Sequence, residues 1–285
     1  MSQATRRIDL HTHSTASDGT TTPADLVRQA REIGLDVLAL TDHDTTAGWV
    51  EAAAALPPGL SLVRGAEISC IRDGISLHLL AYLFDPAEPA FAAVRQDLRD
   101  SRTARAEQMA RRLEVDGTGV TWARVQELAG GTVGRPHVAQ AIVEQGHVAT
   151  VAQTFVPEWI GTHGRYWVGK LELDVVTAID LVTGAGGVAV FAHPAASKRG
   201  RTVGDDVIAE MAQAGLAGLE VDHVDHDEQE RAHLRALAAE LHLLTTGSSD
   251  FHGTSKTVQL GAHLTSEASY DEIVSRATGV GVLTG

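Results

Sequence analysis

Apolar runs too brief to be helices recur along this chain at 6–11, 36–41, 60–69, 75–83, 187–192, 217–222 and 242–246. Continuous runs of this length suit strands buried on both faces, as in a parallel sheet covered by helices. Helix-patterned segments separate many of them. The segment 23–33 opens on Pro23 and stops at Gly34, the expected asymmetry of helix ends. The Ala-rich stretch 45–56 stops at Pro57-Pro58, and 174–183, 203–214 and 228–240 are amphipathic. Strand and helix in alternation predict an α/β fold, either a parallel sheet or a barrel. Only 4% of the residues are aromatic against 44% hydrophobic, so the core is to be built from Ala, Val, Leu and Ile.

The rhythm breaks in the middle. From about 88 to 170 the patterns are helical, at 97–113, 121–128, 136–145 and 149–159, with glycines between them and no convincing strand. We read 88–170 as an all-helical insert that caps the substrate, with 1–87 and 171–285 as the two parts of the α/β body. A length of 285 residues fits one large domain carrying a smaller insert.

Charge narrows the partners. A net charge of −14 argues against coating long nucleic acid through its phosphates. A small phosphorylated substrate stays open, because bound cations reverse the local sign. The single cysteine, Cys70, allows no intramolecular disulfide and suits the cytoplasm. The N-terminal stretch lacks the apolar run of a signal peptide, and nothing approaches the ~18 apolar residues of a membrane span. Oligomeric state is not legible in the sequence.

The chain has 14 histidines, and their placement matters more than their number. The first strand runs into His11-Thr-His13, with Asp18 in the loop behind it. The second runs into Thr41-Asp42-His43-Asp44. Glu67 lies in the third strand and His78 in the fourth. The fifth ends in Ala192-His193-Pro194, and the last leads into Ser249-Asp250-Phe251-His252. Strand ends are where α/β folds gather their sites. Alternation along a strand points His11 and His13 the same way, and likewise Asp250 and His252. Imidazole and carboxylate together favour Zn, Mn or Fe over Ca or Mg.

The set His11-Thr-His13-Ser, Ser17-Asp18-Gly19, Thr41-Asp42-His43-Asp44, Gly65-Ala-Glu67-Ile-Ser69, Ala192-His193-Pro194 and Ser249-Asp250-Phe-His252 resembles the PHP (polymerase and histidinol phosphatase) superfamily across nearly the whole chain. The resemblance implies a distorted seven-stranded, TIM-like (β/α) barrel with two to three divalent metal ions. By the same resemblance His11, His13, Glu67 and Asp250 would hold one ion. Glu67 would bridge to a second, completed by His78 and His193, and Asp18, His43 and His252 would hold a third. A metal-bridging water, its pKa lowered from 15.7 toward ~7, would then cleave a phosphate ester. Asp42 and Asp44 are expected to orient histidines, although Asp44 equally fits the N-cap of helix 45–56.

Length and insert resemble the bacterial subgroup that dephosphorylates nucleoside 3′,5′-bisphosphates or monophosphates, or trims short RNA 5′→3′. A phosphatase for a non-nucleotide metabolite such as histidinol phosphate is the alternative. The motif Val133-Gly134-Arg135-Pro136-His137-Val138-Ala139 is similar to that subgroup's and sets Arg135 and His137 at a helix start, where they could bind substrate phosphate. Lys170 is a further candidate for phosphate contact. His223 and His226, after strand 217–222, are candidate substrate contacts or acid catalysts. Arg102, Arg105, Arg111 and Arg112 read by default as a solvated basic helix face, with a few lining the substrate mouth as the other reading. Trp159 and Trp167 fit packing of the insert, with base stacking as the other reading.

Overall fold

The computed structural model describes residues 5–285; the first four residues of the stretch read above as lacking a signal peptide lie outside them. All seven expected strands form: β1 (Ile8–Asp9), β2 (Val37–Leu40), β3 (Ser61–Arg72), β4 (Ile75–Tyr82), β6 (Val188–Phe191), β7 (Gly218–Asp222) and β8 (Leu244–Gly247). Two short strands that the apolar pattern did not reveal, β5 (Leu173–Asp174) and β9 (Leu283–Thr284), pair with β3. The main order is β1-β2-β3-β4-β6-β7-β8. A bridge from Thr12 to Phe251 brings the two ends together, giving a nearly closed seven-stranded barrel.

One strand departs from the expected parallel arrangement. β4 runs antiparallel to both β3 and β6. The cause is local: β3 and β4 are joined by Asp73-Gly74, with φ of 51° and 71°. Two successive positive φ values make the hairpin turn that Asp-Gly favours.

Alternation along the strands sorts the core into two layers. Ile8, Val37, Ala39, Val63, Leu80, Tyr82, Val188 and Val190 point into the barrel. Tyr270 and Ile273 of helix α9 (Glu267–Arg276) join them and close the end away from the strand tips. Leu38, Leu40, Leu62, Ala66, Leu79, Ala81, Ala189 and Phe191 face outward. They pack on α1 (Pro23–Glu32), α6 (Val175–Gly184), α7 (Asp205–Gln213) and α8 (Glu228–Glu240). The segment expected at 45–56 is helical only as α2 (Trp49–Ala54).

Between β4 and β5 the chain is helical: α3 (Pro89–Val115), α4 (Trp122–Ala129) and α5 (Arg135–Glu144). These enclose their own apolar cluster around Met109, Leu113, Val125, Val138, Ile142 and Ile160. The helix expected at 149–159 shrinks to one 3-10 turn, Val151–Thr154. Pro157 accounts for this, since it disfavours helix at the residue before it. No helix of the described residues is long and apolar enough to cross a membrane.

Candidate metal centre

Glu67 lies at the middle of a histidine cluster at the strand tips. Its Oε2 is 3.4 Å from His11 Nε2, 3.1 Å from His13 Nε2 and 3.1 Å from His43 Nδ1. The other oxygen, Oε1, is 2.7 Å from His78 Nδ1 and 3.1 Å from His193 Nε2. Asp250 Oδ1 lies 3.5 Å from both His11 Nε2 and His13 Nε2. Asp18 faces His43 Nε2 at 3.6 Å and His252 Nε2 at 3.4 Å. The structure therefore brings all nine side chains singled out above into one cluster. Three sets have donor atoms within 4.8 Å of one another: His13, Asp18, His43 and His252; His11, His13 and Asp250; and His43, Glu67 and His78.

Several contacts are wrong for hydrogen bonds and right for a shared cation. The Nδ1 atoms of His43 and His78 are buried and, among the described residues, have no hydrogen-bond partner, although Glu67 is within reach of both. Nitrogens close to a carboxylate but out of line with it converge on a common point instead. Imidazole nitrogen and carboxylate oxygen without thiolate is a donor set for divalent transition ions. Burial opposes the charged forms of Asp18 and Glu67, yet their histidine neighbours outweigh it and hold both pKa values well below the usual range. Those carboxylates are anionic at neutral pH.

Backbone geometry aims these groups. His193 and Asp250 adopt positive φ, 34° and 51°, and Asp44 follows His43 at 57°. Left-handed backbone is uncommon outside glycine and clusters at sites that surrounding contacts over-determine. Those contacts are buried carboxylates. Asp42 accepts from Ser14 N (2.8 Å), Ser14 Oγ (2.6 Å) and Ser17 Oγ (2.6 Å), fixing the loop that carries His13 and Asp18. Asp44 accepts from Ser69 N at 2.7 Å and pairs with Arg102. Asp42 and Asp44 thus hold backbone and loops, and neither bonds a histidine as expected. Asp44 does not cap α2 either, since Gly48 holds that position. Asp9 does the same work for Ser249, beside Asp250, with Oδ2 2.6 Å from the Ser249 hydroxyl.

Glu220, at the centre of β7, is one of the residues sequence reasoning missed, along with Asp9, Arg199 and Lys256. It is fully buried and accepts from His11 Nδ1 at 3.0 Å, from His193 N at 2.8 Å and from the Ser248 hydroxyl. The contact sets the His11 tautomer: Nδ1 carries the proton and Nε2 faces Glu67 and Asp250. A lone glutamate inside the apolar run 217–222 was the available signal.

The remaining candidates divide. His226 Nδ1 meets Val221 O at 2.8 Å and its Nε2 accepts from Ala195 N at 3.2 Å, so both ring nitrogens are taken by backbone, against its expected role toward substrate. His223 is fully buried, accepts from Asp225 N at 3.1 Å and lies 3.4 Å from Asp250 Oδ2. Its Nε2 is buried without a hydrogen-bond partner among the described residues, beside Asp250 and away from solvent. Arg199 and Lys256 each reach the same Asp250 Oδ2 at 2.7 Å. His137 Nδ1 accepts from Gly134 N at 3.0 Å and so caps α5. Arg102 and Arg105, expected in solvent, are buried against the barrel tips. Arg105 Nε has no partner among the described residues. Burial, with Arg135 and Arg102 alongside, pulls the Arg105 pKa down to about 9. Burial and the same Arg102 bring Lys170 down to about 8, despite its 2.9 Å contact with Glu172.

With this geometry in hand, comparison with known proteins is direct. A family model described as the PHP domain matches residues 9–116. A 5′-3′ exoribonuclease of Haemophilus influenzae is 35% identical over 262 residues, covering 91% of this chain and 95% of that protein. A 3′,5′-nucleoside bisphosphate phosphatase of Chromobacterium violaceum is 35% identical over 257 residues, covering 86% and 87%. A solved structure from Bifidobacterium adolescentis, assigned as a metal-dependent phosphoesterase, superposes with a TM-score of 0.90 at 37% identity over 96% of this chain and 97% of that one. The chain belongs to the PHP-domain family.

Glu220→Gln tests the anchoring of His11. A glutamine oxygen can still accept from His11, but its amide hydrogens then face the His193 N–H. Mn²⁺ affinity by calorimetry is expected to fall roughly 10–100-fold, with the circular dichroism of the fold retained. Unchanged affinity would show that His11 and His193 need no such anchor.

Proposed function

We propose that this protein is a metal-dependent phosphatase of nucleotides, acting on nucleoside 3′,5′-bisphosphates or monophosphates and on short RNA from its 5′ end. The observation that carries the reading is the pairing of the histidine–carboxylate cluster with a bank of cations buried beside it. His11, His13, Glu67 and Asp250 would hold one ion, Glu67 with His78 and His193 a second, and Asp18, His43 and His252 a third. Mn²⁺, Zn²⁺ or Fe²⁺ suits these donors. Such ions, when bound, lower the pKa of a coordinated water and neutralise charge developing on phosphate oxygens.

The chain's own side chains supply the rest. Glu67, with its oxygens turned to different histidines, spans two of the three groups. Arg102 is committed to Asp44 and Ser69, and so locks α3 onto the loop carrying His43. Arg105 and Arg135 are not committed: neither donates a hydrogen bond to a described residue, and Arg135 only stacks on Phe155. A guanidinium stays charged at neutral pH and presents five donors in a fork that fits phosphate. Arg105, buried, and Arg135, half-buried, lack acceptors among the described residues and are placed to receive one, with Lys170 adding a point charge. His137, held by its capping bond, has no described hydrogen-bond partner on its other nitrogen. The helices between β4 and β5 would act as the cap over the substrate, as proposed for 88–170.

The two curated relatives described above are named for nucleotide and RNA substrates, which supports this substrate class over a non-nucleotide metabolite. One buried, unpaired cysteine suits work in the cytoplasm.

Phosphate release from adenosine 3′,5′-bisphosphate and from AMP, with Mn²⁺, tests the reading. Release is expected to be abolished by a chelator and faster from the bisphosphate. A metal-loaded protein that releases phosphate from neither would contradict it. Lys170 adds a pH signature. Its pKa of about 8 means that its positive charge is present below that pH and lost above it, so the KM for phosphate substrates should rise from pH 7 to 9. Lys170→Arg, which keeps its charge, should flatten that rise. An identical rise in the variant would remove Lys170 from phosphate binding.

A further inference from the structure

Phe155 is the most exposed Phe, Tyr or Trp of the described residues, at 38%, and Val156 beside it is 37% exposed. Both follow the turn Val151–Thr154, on the stretch that Pro157 keeps out of a helix. The other aromatic residues of this stretch are packed. Trp159 lies 5.9 Å from Tyr166 and 5.2 Å from His147, and Trp167 lies 4.8 Å from His163 with the two rings tilted, so each already has an aromatic neighbour. Phe155 instead meets the Arg135 guanidinium, 5.2 Å from the ring centre. Arg135 in turn lies beside Arg102 and close enough to Arg105 to depress its pKa. The ring therefore stands beside the cation bank, with the Arg135 guanidinium over it and more than a third of the residue exposed.

An aromatic ring left out of a core, and already stacked on a cation, offers its free face to a flat partner. The arginine over Phe155 is one of the cations proposed to hold phosphate. We propose that Phe155 is the platform on which the base of a nucleotide stacks while the phosphate of that nucleotide lies among Arg105, Arg135 and Lys170. This rests on the nucleotide reading above. Stacking recognises the π-face that all bases share, so the platform accepts any of them and separates nucleotides from base-free sugar phosphates. Val156 extends the apolar surface under the base.

The test compares AMP with ribose 5-phosphate, which share ribose and 5′-phosphate and differ by the base. In the metal-loaded protein, Phe155→Ala should raise the KM for AMP at least about fivefold more than the KM for ribose 5-phosphate, and Phe155→Trp should restore the ratio. With wild-type emission subtracted, the added indole of Phe155→Trp should be quenched saturably by AMP and not by ribose 5-phosphate. A KM ratio unchanged by Phe155→Ala, or an indole that AMP does not quench, overturns the platform. If the wild type turns over neither AMP nor the bisphosphate, the nucleotide phosphatase reading fails instead, and quenching alone then decides whether a base binds here.

Discussion

Burying Glu67 among five imidazoles is the constraint around which this barrel is arranged. A carboxylate taken from water needs partners for both oxygens, and here those partners come from four strands and their loops. Each has to arrive at the right height and angle. The protein secures this with buried carboxylates paired to serines next to the cluster: Asp42 with Ser14 and Ser17, Asp44 with Ser69, Asp9 with Ser249, and Glu220 with Ser248. The clamps grip backbone and loop more than imidazole, which is how His193 and Asp250 are held in left-handed conformations. The arrangement costs stability, since buried charge and strained backbone both oppose folding. The paired apolar layers of the barrel offset it.

The same logic joins the helical segment to the barrel. Arg102 crosses from α3 to Asp44, one residue past His43, while Arg99 donates to the Asp44 carbonyl at 2.7 Å. The helical segment and the histidine cluster are thereby tied together. What remains uncommitted on the helical segment is positive charge, Arg105 and Arg135 above all. Within a protein of net charge −14, that local excess of cations is directed at a single small region. It fits the small phosphorylated ligand proposed above.

The strands and the clustered residues were legible because both depend on local pattern. Apolar runs of five to ten residues locate strands, and a His-x-His at a strand end declares its own geometry. Two kinds of feature were not legible. The direction of β4 turned on Asp73-Gly74, a two-residue signal easily lost beside a long apolar run. The burial of Arg102 and Arg105 depends on where α3 docks, which no helical periodicity within 97–113 can reveal. Glu220 and Asp9 were read as strand residues because a carboxylate in an apolar run carries no sign of what faces it. His226 was overestimated for the converse reason: its place at the correct edge says nothing of the backbone groups that occupy both its nitrogens.

The central claim is that these nine side chains form one cluster that holds metal. Its most direct test is the metal content of the purified protein, measured by mass spectrometry after desalting. The account predicts two to three transition-metal ions per chain, with fewer in Asp18→Ala and His43→Ala variants that fold normally. A folded wild-type chain that retains no ion, and takes up none when offered Mn²⁺, Zn²⁺ or Fe²⁺, would contradict it.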